Sequence, residues 1–374
     1  MDQSQRSAAA PRLASTSTYY PGPDEIWERR KPEEVGIASE LLQEAIAFAT
    51  DRRREGYPPD LGTHLAAIHG SKCYDDGIIL GPTKPHGAMT GIVLRHGYLV
   101  AEWGEPDRVD MTFSITKSFL STVAGLAWDR GLIRDVHDRV KDYVDDGGFD
   151  SPHNAQITWE HFLRQTNEWD GTLWDKPSSA GNPDDQWRPP APPGTYYEYN
   201  DVRVNRFSLS LLRLWRRSLP EVLKELVMDP IDASQTWQWH GYRNSWVSID
   251  GQPMQSVSGG GHWGGGMWIS ARDLARFGYL TLRRGRWRDR QVLSESWFNM
   301  ATTPVQPTYG FMNYFLNTDR QLFPSAPASH YYHAGAGANR VWVAPDLGMV
   351  VVVRWLAPEH FDGFVKRVLA AVKP

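Results

Sequence analysis

Apolar positions along the chain switch between a period near 3.6 and a period of two, and the switches divide it into elements. Leu41, Leu42, Ala45, Ile46 and Phe48 recur at helical spacing after Ser39, and Arg52, Arg53 and Arg54 follow where positive charge suits a helix end. This predicts a long amphipathic helix. Thr90 to Leu94 and Tyr98 to Trp103 are apolar, β-branched runs on either side of Arg95-His96-Gly97, which predicts an antiparallel hairpin. From Ser114 onward Ile115, Phe119, Val123 and Leu126 share one helical face until Gly131, so a core-facing helix begins within a residue or two of Ser114.

Between residues 132 and 250 helical patterns dominate (Trp159 to Leu163, Val204 to Arg217, Leu219 to Met228), separated by Pro-rich and Trp-rich loops with little strand signal. Strand patterns return at Gly265 to Ile269, Arg340 to Ala344 and Met349 to Trp355, the last two flanking Pro345-Asp346-Leu347-Gly348, and a final helix begins near His360. The expected architecture is α+β: an antiparallel sheet flanked by helices, built from residues 25–131 and 255–374, with a mainly helical subdomain at 132–254 inserted between them. Residues 1–24 are small, polar and broken by Pro, and read as a flexible arm with packed structure starting near Ile26.

Composition narrows the function. The 374 residues can bury an enzyme-sized core. Forty Lys+Arg against 44 Asp+Glu give a net charge of -4, so there is no global field to attract nucleic acid or an anionic membrane surface. The lone cysteine, Cys73, cannot close an intramolecular disulfide and reads as a small, partly buried side chain. No run approaches the roughly 18 apolar residues of a membrane helix, and the opening residues lack the apolar centre of a signal peptide. The expected compartment is the cytoplasm, or the periplasm or exterior for a chain whose leader has been removed.

The chemistry concentrates at Ser114-Ile115-Thr116-Lys117, the only Ser-x-x-Lys in the chain. Residues three apart share a helix face, so the Lys117 amine can reach the Ser114 hydroxyl. Taken alone the motif is weak, and Ser114 reads more readily as an ordinary helix start. The apolar helix behind it changes the balance, because free N–H groups and the macrodipole at its N-terminus favour negative charge near Ser114. Pro193-Gly194 through Tyr199-Asn200-Asp201 forms a turn that places Tyr199 near a second helix start. The run from Gly259 to Gly266 holds six glycines in eight positions but lacks the Gly-Lys-Ser/Thr ending of a phosphate loop, so it reads as backbone crowding at a strand start. His153, Glu160 and His161 lack zinc-ligand spacing, and no Gly-x-Ser-x-Gly supports an α/β-hydrolase. Neither a metal nor a cofactor is expected.

Ser-x-x-Lys, then a Pro-Gly turn with a Tyr-x-Asn-type triplet, then His333-Ala334-Gly335 before a strand, resembles the serine β-lactamase and penicillin-binding protein superfamily. The class C-like branch of esterases, D-aminopeptidases and nylon-oligomer amide hydrolases is the most similar. Residues 157–166 and 264–275 also resemble its conserved stretches, so the likeness runs in order over roughly residues 30 to 370. It implies Ser114 as the acylated nucleophile, Lys117 as base or proton relay, and Tyr199 as a second proton-transfer group whose phenol pKa is lowered by nearby positive charge. It implies His333 in place of the usual lysine, where it offers a hydrogen bond rather than a charge to a substrate carboxylate. The backbone N–H groups of Ser114 and Ala336 would form the oxyanion hole, with Gly335 giving room for close approach. Asp201 departs from the usual amide: it either accepts from Lys117 and holds it charged, or caps the helix. Trp169, Trp263 and Trp268 are candidates to line an apolar cleft. The reading is a serine hydrolase acting on a small-molecule ester or amide. A penicillin-recognising binder with little turnover, a D-aminopeptidase or weak β-lactamase, and a degenerate partner-binding scaffold are the alternatives.

Overall fold

Strands from both ends of the chain assemble into one six-stranded antiparallel sheet in the computed structural model, which describes residues 18–23, 27–53, 78–180 and 188–373. Cys73 and Arg54 lie outside the described residues. The strands, numbered along the chain, are β1 (Thr90–Arg95), β2 (Tyr98–Trp103), β3 (Asp110–Met111), β4 (Gln238–Ile249), β5 (Gln252–Val257), β6 (Gly266–Ile269), β7 (Phe315–Leu316), β8 (Tyr331–Gly335), β9 (Asn339–Ala344) and β10 (Met349–Arg354). The main helices are α1 (Ser39–Asp51), α2 (Thr116–Asp129), α3 (Asp201–Trp215), α4 (Ala271–Leu282) and α5 (Phe361–Ala371).

The large sheet has the order β7-β8-β9-β10-β1-β2, so the C-terminal meander joins the N-terminal hairpin through the β1–β10 pair, Ile92 opposite Val352. Alternation along these strands sends Ile92, Leu94, Val350 and Val352 into a core with α2 and α4, and Val93, Val351 and Val353 into a second core with α1 and α5. A sheet covered on both faces explains why Met349 to Val353 reads as an unbroken apolar run.

The region between 132 and 254 is not as strand-poor as its sequence suggests. A twelve-residue strand, β4, pairs with β5 and β6 in a smaller four-stranded sheet of order β3-β6-β4-β5. An irregularity between Gly241 and Trp246 breaks the period-two pattern, and Gly, Asn and Ser in the same stretch depress the strand signal. The small sheet is what brings β3, immediately ahead of Ser114, against β6 of the glycine-rich segment, Met111 opposite Trp268. Residues 18–22 are likewise packed rather than loose. The Tyr20 ring lies 5.5 Å from that of Tyr279 and 5.3 Å from that of Trp287, and the Gly22 carbonyl accepts from Arg276 at 3.0 Å. Among the described residues no helix is long and apolar enough to cross a membrane.

Candidate active site

Ser114 sits in a single 3-10 turn, Phe113–Ile115, that leads directly into α2, within the residue or two expected. Phe113 adopts φ +52°, a left-handed conformation that costs a non-glycine residue free energy, and Ser114 is partly exposed just beyond it. One turn further on, Lys117 is fully buried. Its Nζ lies 2.9 Å from Ser114 Oγ and 2.8 Å from Asp201 Oδ1.

Asp201 is the first residue of α3, where the sequence allowed either helix capping or a role beside Lys117. The cap is Asn200, whose side chain accepts from the Arg203 N–H at 3.0 Å, and this leaves the Asp201 carboxylate to face the lysine. Asn200 is held in turn through its amide to Gln165 Oε1 at 3.1 Å and its Nδ2 to the Ser178 carbonyl at 2.7 Å. Tyr199 stands just outside the helix. Its ring centroid is 4.5 Å from Lys117 Nζ, and its phenol is near enough to Ser114 and Lys117 for both to act on its ionisation. Two segments more than eighty residues apart thus meet beside one hydroxyl.

The electrostatics depart from expectation. Burial pulls the Lys117 ammonium toward its neutral form, but the charge of Asp201 and hydrogen bonds to Asp201 and Tyr199 outweigh it, and the pKa is raised. The Tyr199 phenol is raised as well, not lowered. Its desolvation and the negative charge of Asp201 outweigh the help from Lys117 and Ser114. At rest the site therefore holds a charged lysine and a neutral tyrosine.

The glycine-rich run supplies the wall behind this pair. A Cβ on Gly260 would lie 1.8 Å from Asp201 Oδ1 and 2.4 Å from Lys117 Nζ, so only a bare backbone fits against the ion pair. Backbone crowding was legible in the sequence; what it crowds was not. His262, from the same run, brings Nδ1 to 3.5 Å from Asp201 Oδ2, a neighbour the sequence gave no reason to single out.

His333 does not join the group. Its ring is fully buried on the α2–α4 side of β8, with Nδ1 at 2.9 Å from Ser118 Oγ and 3.2 Å from the Asn313 carbonyl, against Tyr314 and Phe277. Burial drops its pKa to about 4, so it is neutral and offers no charge to a substrate carboxylate. The following residues do approach Ser114. A Cβ on Gly335 would fall 1.9 Å from the Thr112 carbonyl oxygen and 3.3 Å from the Ser114 nitrogen, so the strand end carrying the exposed Ala336 runs alongside the Ser114 amide. Trp169 and Trp263 are core residues, Trp169 donating to the Gly148 carbonyl at 2.8 Å, and neither lines a cleft. Trp268 is partly exposed beside His240, 4.4 Å between rings.

A family model described as Beta-lactamase matches residues 89–363. No curated protein matches. Among solved structures, EstCE1, a hydrolase with promiscuous acyltransferase activity, superposes with a TM-score of 0.58 at 12% identity, covering 90% of this chain and 99% of that one. The octameric penicillin-binding protein homologue from Pyrococcus abyssi gives 0.56 at 15% identity over 90% of this chain and 78% of the other. A β-lactamase from Mycobacterium bovis gives 0.53 at 18% identity over 76% and 95%. At these identities the likeness to solved structures is one of fold. The family match covers most of the chain and encloses Ser114, Lys117, Tyr199 and Gly335 in order; the chain belongs to the β-lactamase family of β-lactamase-fold hydrolases.

Proposed function

We propose that this protein is a serine hydrolase that forms an acyl-enzyme on Ser114 and cleaves uncharged esters or amides of small, apolar acids. The observation that carries the reading is the 2.9 Å approach of Lys117 Nζ to Ser114 Oγ, with the Tyr199 ring 4.5 Å from the same Nζ. Ser114 Oγ attacks the carbonyl carbon while its proton passes to the Lys117/Tyr199 pair. The carbonyl oxygen, now anionic, accepts from the N–H groups of Ser114 and Ala336. As the tetrahedral adduct collapses, the pair returns a proton to the leaving oxygen or nitrogen. Water then attacks the acyl-enzyme, giving its proton to the same pair, and Ser114 recovers its hydrogen as the acid departs.

Because Lys117 and Tyr199 share these protons, they titrate as a unit. With both held protonated at rest, the reactive state is the one that has lost a proton, and its population grows as pH rises. Support for an uncharged substrate comes from His333, whose buried, neutral ring offers no cation to an anionic β-lactam. Support for an apolar acyl group comes from the aromatic bank around Tyr199. Phe315 and Tyr309 lie 6.5 and 6.4 Å from its ring, and Tyr197 lies 5.2 Å from Tyr309.

The test is labelling with a fluorophosphonate followed by mass spectrometry. It should be paired with p-nitrophenyl esters, D-amino acid amides, nitrocefin and linear amide oligomers assayed on wild type and Ser114→Ala. A single adduct on Ser114, with ester hydrolysis lost in Ser114→Ala, is expected; an unmodified Ser114 in a folded protein overturns the proposal. A burst without steady turnover would instead select a penicillin-recognising binder.

A further inference from the structure

The turn that carries Ala336 is anchored from behind by two buried polar residues to which the mechanism above gives no part. Asn339, fully buried, donates from Nδ2 to the Ala336 carbonyl at 2.7 Å. Its Oδ1 accepts from Nε of Arg354 at 2.7 Å. Arg354, at the end of β10 and 2% exposed, spends its remaining donors on two backbone carbonyls. Nη1 reaches Ile269 of β6 at 2.9 Å, and Nη2 reaches Met111 of β3 at 2.7 Å. One planar guanidinium thus joins the strand that leads into Ser114, the strand that follows the glycine-rich run, and the turn that follows β8. A lysine, with a single compact ammonium, cannot make this fork.

The turn needs holding. Ala338, two residues from Ala336, adopts φ +57°, and Trp355, next to Arg354, adopts φ +68°. Left-handed backbone at non-glycine residues is strained and persists where surrounding bonds over-determine it. Burying a guanidinium is costly too, and here its pKa falls to about 10, eased by the nearby charge of Asp110. Two costly features meet at the one turn that presents Ala336 to the Ser114 amide.

We infer that Arg354 and Asn339 are positioning residues that fix the Ala336 amide relative to that of Ser114, setting the geometry of the oxyanion hole. The inference rests on the acyl-enzyme reading of Ser114. Asn339→Asp keeps the acceptor for Arg354 and removes the donor to Ala336; Arg354→Lys keeps the charge and breaks the fork. With a p-nitrophenyl ester, both variants should lower kcat by about 10- to 100-fold while KM moves less than about threefold. The rate of fluorophosphonate labelling at Ser114 should fall in parallel. The pH dependence of kcat/KM should stay where it is in wild type, because Lys117, Tyr199 and Asp201 are untouched. Melting temperature and circular dichroism identify any variant that fails to fold, and the other variant then decides. Folded variants with wild-type kcat, or with a loss carried by KM or by a displaced pH profile, overturn the inference. Wild-type protein that is never labelled at Ser114 overturns the hydrolase reading instead, so the two failures are distinguishable.

Discussion

Asp201 and Lys117 form an ion pair 2.8 Å long whose lysine is wholly buried and whose aspartate is 6% exposed, and the same lysine nitrogen is 2.9 Å from Ser114. A carboxylate in that position does two opposing things. It makes burial of the ammonium tolerable, and it holds on the proton that a base must shed.

Asp201→Asn should therefore lower the Lys117 pKa. The ascending limb of the kcat/KM profile, where Lys117 loses its proton, should move to lower pH by about 1 to 3 units, the range typical of removing one close opposite charge. Initial rates of ester hydrolysis between pH 5 and 10 measure it. An unmoved limb would show that Lys117 does not titrate with the reaction.

Gly260→Ala should cut activity by at least about 100-fold, because its methyl group cannot share space with Asp201 Oδ1 and Lys117 Nζ, and a displacement near 1 Å at the reacting group has that size of effect. Gly251, in a turn with open space around it, provides the control: Gly251→Ala should leave kcat/KM near wild type. Steady-state kinetics on the two variants would separate a local effect from general glycine intolerance.

His333→Gln should flatten the acid side of the stability profile. The ring titrates near 6.5 when unfolded and near 4 when folded, so between those values the unfolded chain binds the extra proton and stability falls as pH drops. The contribution present at neutral pH and lost by pH 4 is on the order of 3 kcal/mol. Urea denaturation of wild type and variant at pH 7, 5.5 and 4.5 should converge toward the acid end. Parallel curves would contradict the buried, neutral ring.

Glu168→Gln should destabilise the fold by about 3 kcal/mol, since it removes the buried carboxylate that two arginines share and leaves them Glu198 alone. Arg188 grips Glu168 at 2.6 and 2.8 Å, and Arg203 reaches it at 2.6 Å. These bonds outweigh burial and keep the carboxyl below its ordinary range, so its contribution is present above that range and lost on acidification. The midpoint of urea unfolding at pH 7 reports it, and an unchanged midpoint would mean that the arginines find other partners.

Local pattern was enough for a good part of this protein. The periods of apolar residues located the Thr90–Trp103 hairpin, the helix behind Ser114 and the C-terminal strands, because those elements bury one face or both and burial writes itself into spacing. Ser114, Lys117 and Tyr199 were legible for a different reason: Ser-x-x-Lys is a contact within one helical turn, and the Pro-Gly turn is local chemistry. The β4–β5 hairpin escaped because an irregular pairing erased its alternation. What tertiary structure alone decided was which side chains meet across the fold. The orientation of His333 was set by α2 and α4 closing over one face of β8, the raised pKa of Lys117 by Asp201 arriving beside it, and that of Tyr199 by burial. Gly260 was set by two helices bringing Lys117 and Asp201 against it, and the Arg354–Asn339 fork by β3 and β6 arriving beside the end of β10. Spacing records a residue's neighbours along its own element; desolvation and charge depend on neighbours that the chain supplies only after it has closed on itself.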